Sequence, residues 1–295
     1  MHEEVVKHIK SYQELLGLDF TPVQLRKMLG SGRISRVARG TYTSQMKMSP
    51  QEEHLALAMA CSNRRAELVL SHQSAAIAWG LAVLNIPEQV NIRARKGSHS
   101  PYLKTHQDGP TLRASTALTP SGLHAVVPLD TVLACARSCS KDEAVIIADS
   151  ALYQGYLGYQ QLYDELYLVK NQGRRKARIV ADSMATHVMS PGETLLRLRL
   201  NEFGLFPIVQ CPVPTGTRTF HGDLGLPEHK IILEFDGKVK YSGAYGDPHT
   251  VLAQEKERMD AILNAGWRII RVDWKMVQKP ARRLKTVLEA HGLLL

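Results

Sequence analysis

The four cysteines in 295 residues make neither a zinc site nor an obvious disulfide frame, being scattered along the chain. Cys135 and Cys139 sit one helical turn apart, Cys61 falls in an Ala-rich helical pattern and Cys211 precedes a proline. They read as buried thiols in a reducing compartment. No apolar run is long enough to span a bilayer, and the start, MHEEVVKHIK, carries acids where a secretory signal needs an apolar stretch. The expectation is a cytoplasmic protein with no membrane partner. P-loop, GxSxG and Rossmann fingerprints are all missing, so none of these motifs points to a function. Acids are outnumbered: 28 Asp and Glu face 37 Lys and Arg, giving a net charge of +9. Such an excess favours polyanionic partners through counterion release. A hydrophobic content of 44% supplies real cores, and the length suits two or three domains.

The stretch Arg218 to Lys240, RTFHGDLGLPEHKIILEFDGKVK, places acids on two short strands joined by a tight turn. With the turn centred on Glu228 and His229, Asp223 falls opposite Glu234. Strand period two adds Asp236 to the same face. Opposed like charges are destabilising, so the cluster requires a cation. A hard divalent ion such as Mg²⁺, with Mn²⁺ as substitute, answers that need with one or two carboxylates plus waters and phosphate oxygens. Lys238, further along the same face, is placed to orient a water. The plainer alternative is a solvated strand face that ends in an Asp236-Gly237 turn. Against it, Ile231, Ile232 and Leu233 read as a buried strand that runs straight into the acids.

The segment from Ser190 to Ala290 resembles the very-short-patch-repair-like branch of the PD-(D/E)XK nuclease superfamily. The likeness rests on SPGETLLRLRL, HGDLGLPE, LEFDGKVKY and EKERMDAILNAGWRIIRVDW, in that order. It implies a restriction-endonuclease-like mixed sheet flanked by helices and Mg²⁺-dependent cleavage of double-stranded DNA. Carried over, Asp223, Glu234 and Asp236 are the metal-binding acids, Glu193 sits on the leading helix and Glu255 helps from the following one. The usual lysine two places after the second acid is here Asp236, which shifts that role to Lys238 or Lys240. The likeness leaves open a homodimer or a partner protein that completes the chemistry. Several of these residues also have plainer roles. Glu193 can close a capping box with Ser190, and Glu255 can be a solvated partner for Arg258 three residues on. His221 can be a surface imidazole. The helix Val251 to Ala265 is expected to turn Leu252, Met259 and Leu263 inward, and the strand after it to bury Ile270 and Val272.

At the other end, SYQELLGLDFTPVQLRKMLGSGRISRVARGTY reads as a helix capped by Ser11 and Glu14, a break, a helix opened by Thr21-Pro22, and a basic hairpin. That is the order of a winged helix-turn-helix. Gln24, Arg26 and Lys27 on the second helix are able to reach bases or phosphates, and Arg33, Arg36 and Arg39 on the wing to reach the DNA backbone. A protein-docking module is the alternative. The region resembles the N-terminal winged-helix domain of the type IV abortive-infection antitoxins, which bind DNA as transcriptional regulators. LVLSHQSAAIAWGLAV and VVPLDTVLACARSCSKDEAVIIADSALYQGYL resemble their second domain.

The expected architecture is therefore a multidomain α/β and α+β protein. It has a winged helix at 1–48, a helical antitoxin-like middle domain at 49–170, a basic linker and helix at 171–189, and a nuclease-like domain at 190–295. Helices are expected at Lys141 to Tyr153 and Tyr159 to Leu168, a loop at Arg95 to Pro110, and a helix carrying His187 after the tract Arg174-Arg175-Lys176. His72 and His124 read as core or surface histidines.

Overall fold

The computed structural model describes residues 9–44, 47–63, 68–94, 97, 100–107, 115–170, 172–216, 218–237 and 248–294, with backbone alone for 248–254. The chain is a mixed α/β protein that divides into two compact units, Met1–Asp182 and Ser183–Leu295. Among the described residues no helix is long and apolar enough to cross a membrane.

Unit 1 opens with β1 (Ile9–Ser11), α1 (Tyr12–Gly17), α2 (Pro22–Gly30), β2 (Ser35–Ala38) and β3 (Thr41–Thr43). Ser11 starts α1 by exchanging hydrogen bonds with Glu14, and Thr21 starts α2 the same way with Gln24. Leu15, Leu25 and Ile34 are buried between these elements, with Phe20, Met28 and Tyr42 packed against them. The antiparallel sheet runs β1-β3-β2. Its first strand, three residues long, is too short to show a strand period in the sequence.

The rest of unit 1 corrects the expectation of a helical middle domain. Beside α3 (Pro50–Ser62), α4 (His72–Ala78), α5 (Pro128–Ser138), α6 (Lys141–Tyr153), α7 (Tyr159–Leu168) and α8 (Arg174–Ala181) stands a five-stranded mixed sheet. Its strands are β4 (Val69–Leu70), β5 (Val90–Arg93), β6 (Leu103–His106), β7 (Thr116–Leu118) and β8 (His124–Val126), ordered β6-β5-β4-β8-β7. Strands of two to four residues are too short to display a period of two. The loop expected from Arg95 to Pro110 therefore contains β6, held parallel to β5. His187 lies beyond the end of α8, at φ +62°, not within a helix.

Buried polar groups tie this sheet to its helices. The His54 ring Nε2 meets the Ser74 hydroxyl at 2.8 Å, and the same hydroxyl accepts from the Asn91 N–H at 2.7 Å. Burial drives the His54 pKa from 6.5 down to about 4. The folded state thus binds fewer protons than the unfolded chain between those values. Unit 1 should be most stable above pH 6.5 and lose stability as the pH falls toward 4, and His54→Gln should flatten that part of the curve. Urea unfolding midpoints across this range measure the slope.

Unit 2 consists of α9 (Pro191–Glu202), β9 (Ile208–Pro214), β10 (Thr219–Leu226), β11 (Ile231–Phe235), α10 (Pro248–Asn264), β12 (Arg268–Val272), α11 (Trp274–Val277) and α12 (Arg282–Ala290). The sheet runs β12-β11-β10-β9, antiparallel except for the β11–β12 pair. A parallel pair needs a crossover, and α10 provides it. The two faces of β11 part company. Ile232 packs with Cys211, Val213 and Ile262 of α10, whereas Phe235 lies against Gly192 of α9 and edge-on to Trp274, ring centroids 5.0 Å apart. Helix α10 presents Ile262 to the sheet and leaves Leu263 48% exposed, the reverse of the expected phase for Leu263. Residues 255, 258, 259 and 262 form one face at helical spacing, which explains the phase and brings Glu255 and Arg258 inward.

A Cβ at Gly192 would lie 2.1 Å from the Phe235 ring, so the α9 N-terminus can approach β11 only with glycine there. Gly192→Ala should destabilise unit 2 by about 1–3 kcal/mol, with partial rescue by Phe235→Leu. Urea denaturation of the single and double variants tests this coupling.

Candidate active site on the central sheet

The ladder between β10 and β11 pairs Leu226 with Ile231, Gly225 with Ile232 and Leu224 with Leu233. The next step in this register sets Asp223 against Glu234, as the hairpin spacing predicts. Regular pairing stops short of it. The Phe235 N–H instead donates to Asp223 Oδ2 at 2.9 Å, so a side chain replaces the main-chain acceptor where the strands part. Across Asp223, β9 carries Gln210 in a left-handed conformation, φ +47°, a local irregularity in the strand pair. Asp236 follows the end of β11, its N–H donating to the Val272 carbonyl at 2.9 Å. Its carboxylate has no partner among the described residues.

The dominant charge among these acids is Arg258. From α10 it forms an ion pair with Glu234, donates to the His221 carbonyl at 2.9 Å and lies 3.4 Å from Glu255. Burial works against its charge, but Glu234, Glu255 and Asp223 outweigh that and hold its pKa above the ordinary value. Arg271 on β12 extends the alternation, 3.7 Å from Glu255. Glu234 and Glu255 thus meet on one guanidinium, with Asp223 adding to the negative field around it. Glu255 has the partner that helical spacing implies, whereas the reach of Arg258 to β11 was not foreseen. The E-x-x-R spacing shows the local pair but not the 24-residue contact to Glu234.

Glu193 stands apart from this group. It is 6% exposed; its Oε1 accepts from the Ser190 hydroxyl at 2.8 Å and its Oε2 from the Met189 N–H at 3.0 Å. The Ser190 hydroxyl in turn accepts from the Glu193 N–H at 3.2 Å. Both oxygens therefore serve the start of α9. The His221 side chain is exposed, and Asp273 caps α11 through the Lys275 and Met276 N–H groups. Lys238 and Lys240 lie outside the described residues.

The donor set is chemically suited to a hard cation: carboxylate oxygens only, two of them adjoining the strand pair and Asp236 without a protein partner among the described residues. Among the described residues, however, no three His, Cys, Asp or Glu side chains already converge as a metal-holding group. The positive charge at this place belongs to Arg258.

In unit 1, Arg26 and Lys27 on α2 and Arg33, Arg36 and Arg39 around the hairpin are exposed. Gln24 is partly committed: its Oε1 accepts from the Thr21 N–H and hydroxyl at 2.7 and 2.9 Å.

Glu193→Ala should cost about 1–2 kcal/mol of unit 2 stability, as the loss of a helix cap does. The cost should be the same with and without Mg²⁺ in thermal melts, whereas a metal ligand would couple the two.

No family model matches the chain, and no curated protein does. Among solved structures it is similar to the RV2827C protein from Mycobacterium tuberculosis, at 14% identity and a TM-score of 0.38, over 61% of this chain and 74% of that one.

Proposed function

We propose that this protein is a DNA-binding, metal-dependent endonuclease. Unit 2 hydrolyses phosphodiester bonds, and the winged helix-turn-helix at the N-terminus of unit 1 engages the duplex. The observation that carries the reading is the meeting of Glu234 and Glu255 on Arg258 where the β10–β11 pair opens, with the Asp223 carboxylate held at the same strand end by the Phe235 N–H. A carboxylate cluster held together at a strand end is costly without a function that uses its charge.

Asp223, Glu234 and Asp236 would hold Mg²⁺ or Mn²⁺, which when bound supplies Lewis acidity for readying a water and stabilising the leaving oxygen. The protein's own groups do the positioning. The Phe235 N–H fixes the Asp223 carboxylate, and the Arg258 guanidinium orients Glu234. Lys238 and Lys240 are assigned to the phosphate by sequence alone. On unit 1, Arg26 and Lys27 meet the groove while Arg33, Arg36 and Arg39 meet the backbone.

One observation favours a second reading. Arg258 already neutralises Glu234, which is also how a nuclease scaffold retained in a transcriptional regulator or antitoxin-like protein would stabilise its idle acids.

Incubation of supercoiled and mismatch-containing DNA with the protein and Mg²⁺ or Mn²⁺ separates the two. The endonuclease reading expects cleavage that falls at least ~100-fold in Asp223→Ala and Asp236→Ala, with the gel shift retained. Intact DNA under every condition, with the shift retained, would establish the regulator instead.

A further inference from the structure

A second site stands in unit 1, independent of the reading of unit 2. A cavity of about 670 Å³ opens between α4, α5, α8 and the β5–β6 strands. That volume is the size of small-ligand pockets. Among the described residues its charged lining is Arg93, Arg137 and Lys176 against the carboxylate of Asp130, three positive charges and one negative. His72 and His106 also line it, rings stacked at 3.6 Å.

The wall beneath the rings is a chain of buried polar groups. The His106 Nε2 meets Asn91 Oδ1 at 2.7 Å, and the Asn91 N–H donates to the Ser74 hydroxyl that also meets His54. The His72 Nδ1 meets the Ser71 hydroxyl at 3.2 Å, and the Ser71 N–H donates to the Asn91 carbonyl. Ser71, Ser74, Asn91 and His54 are all 5% exposed or less. The Ser71 hydroxyl caps no N–H of α4, and His72 takes a left-handed φ of +50°. Diverted caps, backbone outliers and buried polar networks concentrate at sites that position ligand-facing groups.

The cations are placed in advance. Arg137 donates from Nε to the Gln172 carbonyl at 3.0 Å. Gly173, at φ +87°, closes on its stem so tightly that a Cβ would lie 2.6 Å from Arg137 Cβ. Among the described residues the two terminal nitrogens of Arg137 have no hydrogen-bond partner. Lys176 spends two protons on the Ser138 and Cys139 carbonyls and keeps a third. Taken alone, these contacts tie α8 to the end of α5. Their convergence with a histidine pair on one cavity goes beyond that. Burial lowers the pKa of both rings, His72 to about 3, with His106, Lys104 and Arg137 adding to the shift of His72 and Lys104 to that of His106.

We propose that this cavity binds the phosphoryl group of a small phosphorylated ligand of nucleotide size, gripped by Arg137 and Lys176 beside the His72–His106 pair. The excess of two positive charges matches the charge of about −1.5 to −2 on a phosphomonoester at neutral pH.

Titration calorimetry on the full chain, with inorganic phosphate, ATP, adenosine and a DNA duplex as probes, tests the assignment. Phosphate and ATP should bind once per chain, adenosine should give no heat, and Arg137→Gln and Lys176→Gln should each weaken ATP at least about 10-fold. Circular dichroism checks that the variants fold. Should they not, imidazole NMR of the unaltered protein decides, since saturating ATP must shift the His72 and His106 ring resonances. No binding of phosphate or ATP, undiminished binding in folded variants, or unmoved ring resonances would overturn the proposal. So would displacement of phosphate by duplex, which would assign the cations to the DNA backbone.

Discussion

Carboxylates brought together at the end of a strand pair repel one another, and the geometry of unit 2 answers that repulsion with a guanidinium. Arg258 can reach Glu234 because α10 crosses the sheet on the Ile232 face, with Ile262 as its apolar anchor. The same crossing puts Glu255 and Arg271 within range, so charges alternate from β11 through α10 to β12. Asp223, Glu234 and Glu255 each have a fixed partner before any ligand arrives. Partly buried pairs of this kind are screened less than surface ones, and removal of one member leaves the other exposed to its desolvation cost.

The opposite face of the sheet makes that arrangement rigid. Helix α9 is buried from Gly192 to Leu200, and even its two arginines are nearly sealed: Arg199 donates to the Val277 carbonyl and pairs with Glu202, while Arg197 donates to the Ser183 carbonyl. A helix with apolar neighbours on all sides has one place to go. It fixes β11 through Phe235, and β11 in turn fixes Glu234 on the other side.

Much of this is legible in the letters, though unevenly. The helices Lys141–Tyr153 and Tyr159–Leu168 fall where the sequence places them because the helical period acts over ten residues or more, with a Ser140 cap opening the first. The hairpin register of β10 and β11 also follows from the turn position. The sheet of unit 1 stayed hidden, since β4 and β8 owe their existence to partners far along the chain rather than to their own two or three residues. Arg258 hid for a related reason: a helical spacing advertises neighbours on the helix, not contacts on a strand. His72 looked like an ordinary core histidine. Only the fold reveals that His106, on an unrecognised strand, stacks against it.

The parallel pairing of β11 with β12 has a consequence for the order of events during folding. β10 and β11 are joined by four residues, Pro227 to Lys230, whereas Arg258 lies 24 residues along the chain from its partner Glu234. Local hairpins form ahead of long crossovers because loop-closure entropy grows with separation. On sequence separation alone, bringing Asp223 opposite Glu234 closes a far shorter loop than bringing Arg258 to Glu234.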